Sequence, residues 1–138
     1  MNEEAEPLPV TVTQIELAPE EAECANGVGI SMVVDTPVDL INYCWQFRYM
    51  VDTSKKRITV QLGNSPWVSY GSGQSVMSHT IESFNLTEVP VDVLQKEGLL
   101  KAILTGQDGN EVLTVTFVVK IYYDSNGSLR RLICNPLA

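Results

Sequence analysis

The chain has 138 residues, 44% of them hydrophobic, which is enough apolar material for one domain to close a core without disulfide staples. Its formal charge of −8 sets it against direct binding of nucleic acid, where phosphates need clustered lysine and arginine. No apolar run approaches the roughly 20 residues that span a bilayer, so a membrane role is not expected.

Met1 to Pro7 reads as a flexible acidic tail, leaving residues 8–138 as a single domain. Val10 and Val12, then Ile15 and Leu17, alternate out of phase, which predicts a strand with a bulge near Thr13-Gln14. Ala18 to Asn26 reads as an acidic loop. Val28, Ile30, Met32 and Val34 predict a second strand, closed by Asp35-Thr-Pro37. In the third, Tyr43, Trp45, Phe47, Tyr49 and Val51 share one face, and that aromatic face must be core.

After the polar turn Asp52 to Lys56, Ile58, Val60 and Leu62 alternate until Gly63-Asn-Ser-Pro66 breaks the strand. Trp67 to Tyr70 extends the sheet, Gly71-Ser-Gly73 is a loop, and Ser75 to Phe84 is a weaker strand. Val91 to Lys96 supplies a turn or two of helix between sheets. Leu99 to Thr105 is the next strand, and Asp108-Gly109 signals a tight hairpin into Glu111 to Tyr123. There Leu113, Val115, Phe117, Val119, Ile121 and Tyr123 fall on one face, which makes this the central strand. About eight short strands predict an all-β, immunoglobulin-like β-sandwich with one short connecting helix.

Candidate chemistry is sparse. His79 is the single histidine, mid-strand and without a local carboxylate or nucleophile, so a structural histidine is the expectation. Cys24, Cys44 and Cys134 form no Cys-x-x-Cys pair, and an odd thiol with no export signal points to a nuclear or cytoplasmic home with three free thiols. Ordinary zinc sites lack ligands, Asp35, Asp39 and Asp52 have no calcium-loop spacing, and Gly71-Ser-Gly73 lacks the lysine and helix of a phosphate loop. No metal, cofactor or enzymatic activity is expected.

Three stretches carry a family resemblance. Cys44-Trp-Gln-Phe-Arg-Tyr-Met50, Val89-Pro-Val-Asp92 and Asp108-Gly-Asn-Glu-Val-Leu-Thr-Val-Thr-Phe-Val-Val119 resemble, in order and spacing, segments of the anti-silencing function family of histone chaperones, with Asn135-Pro136 near a matching pair. The resemblance implies an elongated immunoglobulin-like sandwich. It also implies a monomeric, non-enzymatic chaperone that lays one sheet face on the heterodimer of core histones three and four, and receives short basic motifs of other chaperones on the far face. Carried over by position, the partner-binding residues are Leu100 at the apolar centre, Ala102 beside it, Thr114 and Val118 on the central strand, and Asp92 after the proline turn. Leu100, Ala102 and Leu104 are accordingly expected on the exposed face. The family's arginine stands here as Thr114, its paired tyrosines as Phe117 and Val118, and an acidic contact falls in Lys55-Lys-Arg57. These departures leave open an alternative, an immunoglobulin-like interaction or scaffold module that has lost histone binding.

Overall fold

A computed structural model describes residues 10–137; the tail expected over Met1 to Pro7 lies outside them. The strands are β1 (Thr11–Ala18), β2 (Glu21–Glu23), β3 (Asn26–Thr36), β4 (Leu40–Asp52), β5 (Arg57–Asn64), β6 (Val68–Tyr70), β7 (Gly73–Ser83), β8 (Gly98–Gly106), β9 (Glu111–Tyr123) and β10 (Leu129–Cys134), with one helix, α1 (Val91–Leu94), before β8. One antiparallel sheet runs β1-β3-β7 and the other β2-β10-β9-β8-β4-β5, with β6 hydrogen-bonded to β4.

This order is the immunoglobulin arrangement. β1, β3 and β7 take the places of strands A, B and E, while β9, β8, β4 and β5 take those of G, F, C and C′. The chain is therefore an all-β, immunoglobulin-like sandwich, and Trp45 fills the place of that fold's buried tryptophan on strand C. Its indole N–H donates to the Tyr70 hydroxyl at 2.9 Å.

Strict alternation built the layers. Val28, Ile30, Met32 and Val34 of β3 face Trp45, Phe47, Tyr49 and Val51 of β4 and Val115, Phe117, Val119 and Ile121 of β9 across one core. The register shift between Val12 and Gln14 keeps Ile15 buried after the chain changes phase, as the sequence pattern predicts. Two elements were not anticipated. Glu21–Glu23, read as loop, forms the short edge strand β2 against β10. Leu129–Cys134 pairs with β9 although it does not alternate, because Arg131 points inward and is wholly buried.

Candidate functional site

With the inner faces committed to the core, the outer face of the large sheet is the widest continuous surface. On β4 it presents Gln46, Arg48 and Met50, on β8 Leu99 and Lys101, with Ile103 on the same side but buried by its neighbours, and on β9 Thr114, Thr116, Val118 and Lys120. Antiparallel pairing aligns these into rows. Met50 opposes Leu99, Leu99 opposes Val118, and Val118 opposes Cys134, so one apolar row crosses four hydrogen-bonded strands. Leu99 is 36% exposed at its middle, and Met50, Val118 and Cys134 are half-buried.

The next row is polar: Gln61, Arg48, Lys101 and Thr116 stand side by side on β5, β4, β8 and β9. Arg48 is steadied by donating from Nη2 to Gln46 Oε1 at 2.7 Å. Beyond it lie Gln46, Ile103 and Thr114. At the near margin, Met50 and Leu99 floor a depression of about 240 Å3 whose rim is Asp52, Arg57, Glu97 and Lys101. Asp52 accepts from Arg57 Nε at 2.7 Å, and that bond holds its carboxyl below the ordinary range. This pair is solvent-exposed and contributes little to stability.

The carried-over residues divide. Thr114 is exposed and Val118 half-buried, both on the outer face. Leu100 and Ala102, expected beside them, are fully buried and belong to the core, as does Leu104. The correction is a one-residue phase error. Leu100 opposes Tyr49 on one side and Phe117 on the other, both core residues, so the outward set is Leu99, Lys101 and Ile103. The stretch Leu99-Leu-Lys-Ala-Ile-Leu is apolar on both faces except at Lys101, and that lysine was the available signal. Asp92 is exposed on α1, outside the rows of this face. Lys55, Lys56 and Arg57 are exposed at the β4–β5 turn.

Elsewhere, the His79 ring lies parallel to Phe47 with centroids 4.6 Å apart, and burial lowers its pKa from the ordinary 6.5. Cys24, Cys44 and Cys134 are unpaired thiols. Burial pushes the Cys24 thiol up while Arg131 pulls it partly back. Among the described residues, no three His, Cys, Asp or Glu side chains converge to hold a metal, and no helix is long and apolar enough to cross a membrane.

No family model matches this chain, and no curated protein matches it. Among solved structures it is similar to a Pseudomonas fluorescens alkylpurine DNA glycosylase bound to DNA containing an abasic site analog (TM-score 0.48, 11% identity), covering 79% of this chain and 30% of that one. It is also similar to a Niemann-Pick type C2 protein from Japanese carpenter ant (TM-score 0.49, 12% identity), covering 78% of this chain and 88% of that one.

Proposed function

We propose that this chain is a non-enzymatic, monomeric protein-binding module that docks its partner on the outer face of the large sheet. The observation that carries this reading is the row Met50–Leu99–Val118–Cys134, an apolar stripe held flat by four paired strands and bordered by polar residues. A stripe of this kind on a rigid sheet offers anchor contacts at low ordering cost. Two of the five positions carried over from the family resemblance, Thr114 and Val118, stand on this face, and the resemblance makes the heterodimer of core histones three and four the first partner to test. The net charge of −8 agrees with a basic partner drawn in at long range. A nuclear or cytoplasmic setting fits three unpaired thiols.

One observation favours the alternative of an interaction module that has lost histone binding. Arg48, Lys101 and Lys120 occupy the outward positions of the three central strands, and cations at an interface centre oppose a basic partner. Isothermal titration with the core-histone heterodimer at low and high salt separates the readings. On the chaperone reading, wild type binds, Leu99→Arg loses at least about tenfold in affinity with an unchanged melting temperature, and Lys101→Glu binds more tightly. Absence of wild-type binding leaves the alternative. Equal binding by wild type and Leu99→Arg removes this face from either account, while Leu100→Arg, which puts a charge into the core, is expected to unfold.

A further inference from the structure

A second surface lies on the small sheet. An immunoglobulin sandwich of the constant type completes its first sheet as A-B-E-D, with strand D on the outer side of strand E. Here that sheet stops at β7, the strand in the place of E: its order is β1-β3-β7, and among the described residues β7 pairs with β3 alone. The connection that carries strand D elsewhere instead folds β6 back onto β4 in the opposite sheet. Every second residue of β7 therefore directs its N–H and C=O outward along a free edge.

Two features set this edge apart from an ordinary sheet margin. From Gly73 to Ile81 it contains no proline and no Asp, Glu, Lys or Arg, which are the residues that usually guard an edge. Its length of 11 residues is long for an edge, and Val76 on it is 67% exposed. Alongside it runs a groove of about 500 Å3, walled by Ser75 to His79 on one side and by Ser65, Pro66, Val68 and Ser69 on the other. The buried rings of Trp45 and Tyr70 and the Met77 thioether line it. Among the described residues, no carboxylate, lysine or arginine lines the groove, although the chain carries 17 acidic and 9 basic residues.

We infer that β7 accepts an extended segment of a partner protein as a fourth strand, in the position of strand D, and that this segment is uncharged, with alternate apolar side chains set into the groove. The free edge suits an extended occupant, since a strand replaces water at its backbone groups residue by residue. The uncharged lining selects an uncharged one, because a lysine or carboxylate in the groove would be desolvated without a counter-ion. Pro66, Val68 and Val76, the accessible apolar side chains of the lining, select apolar side chains at alternate positions. This site lies at the margin between β7 and β6, shares no residue with the outer-face row proposed above and does not depend on it.

The test titrates the full chain with a panel of octapeptides alternating valine or leucine with serine or threonine, up to about 1 mM, the weak end of specific association. Amide hydrogen exchange is read along β7. The inference expects at least one peptide to slow exchange at alternate β7 residues by about tenfold or more. The same peptide N-methylated at alternate amides should lose the effect on one of its two edges, and Val76→Lys, which places an edge charge on an exposed position, should lose it with an unchanged melting temperature. No protection from any peptide, or equal protection from versions N-methylated on either edge, overturns the inference. Concentration-dependent protection of β7 without peptide, with matching dimer formation in sedimentation, also overturns it and assigns the edge to a second copy of the chain.

Discussion

Replacing Arg131 probes the least expected feature of the core. The side chain is wholly buried and, among the described residues, has no carboxylate partner. Its guanidinium instead donates from Nη1 to the carbonyls of Pro19 and Glu20 at 3.2 and 3.1 Å, and from Nη2 to those of Asn26 and Gly27 at 3.3 and 2.7 Å. It also stacks 5.2 Å above the Phe84 ring. One planar fork thus ties both flanks of β2 to β10. Burial presses its pKa down, yet arginine stays charged, so the fold carries a desolvation cost that the four bonds must offset. Bonds from a charged donor contribute about 1.5 to 3 kcal/mol each, against an effective cost of several kcal/mol for burying the cation. Arg131→Met recovers that cost but leaves carbonyls short of donors, for a net loss of about 3 kcal/mol out of a total of about 5 to 15. Arg131→Lys keeps the charge, but an ammonium cannot span two pairs of carbonyls, so it should lose about 4 kcal/mol, more than methionine does. Urea unfolding followed by tryptophan fluorescence measures both. If lysine matched the wild type, charge rather than the fork would be what matters. A methionine variant within about 0.5 kcal/mol of wild type would refute any net stabilisation by the four bonds.

Three further outcomes are expected. Gly98→Ala should destabilise the fold because a Cβ there overlaps both the Tyr49 hydroxyl and the ring carbon that bears it; adding Tyr49→Phe removes the hydroxyl but keeps the ring, so it should restore only part of the loss, and additive effects in that double-mutant cycle would contradict the packing. Tyr49→Phe alone should be neutral or stabilising by about 1 kcal/mol, since its buried hydroxyl has no hydrogen-bond partner among the described residues and burial already drives its pKa far up; a clear loss of stability in thermal melts would count against this. Because burial holds the pKa of His79 below 6.5, the unfolded chain binds the proton more readily: this contribution is fully present above pH 6.5 and is lost as pH falls through the folded pKa, and His79→Gln should remove that slope from urea midpoints measured between pH 7.5 and 5.

The strands whose two faces differ chemically were legible in the sequence, and those whose faces do not differ were not. Glu111 to Tyr123 alternates without interruption and forms β9 over the expected span, with Val115, Phe117, Val119 and Ile121 inward. The aromatic face of β4 and the bulge in β1 follow from equally clear patterns. In β8 both faces are apolar apart from Lys101, so the local pattern marks the phase at that one residue, and pairing with Tyr49 and Phe117 fixes it. The sequence Leu129-Arg-Arg-Leu-Ile-Cys gives no sign that one arginine is core and its neighbour is not, because carbonyls from Pro19 to Gly27, over a hundred residues away, make the difference. β2 shares that dependence: three residues, two of them glutamate, have little strand propensity and are held by pairing with β10.

The same contrast between the sheets decides which face can serve a broad interface. The outer side of the small sheet presents Gly29 and Ser31 on β3 and Ser78 and Thr80 on β7, small side chains whose contact is a hydroxyl pair, Ser78 Oγ donating to Ser31 Oγ at 3.5 Å. Its apolar content is Val33 opposite Val76, too narrow for an anchor cluster. Glu16, Asp35 and Glu82 stand at its margins, so a partner laid across it would have to desolvate carboxylates for little apolar gain. The large sheet reverses each term: more strands, a four-residue apolar row and long amphipathic side chains at Arg48, Lys101 and Lys120 whose stems cover apolar area. Strand-by-strand capture therefore suits the free edge of the small sheet, and face-on docking suits the large one. Because the groove beside β7 shares no residue with the apolar row of the large sheet, occupation of either leaves the other open, and a chain that used both would hold two partners at once.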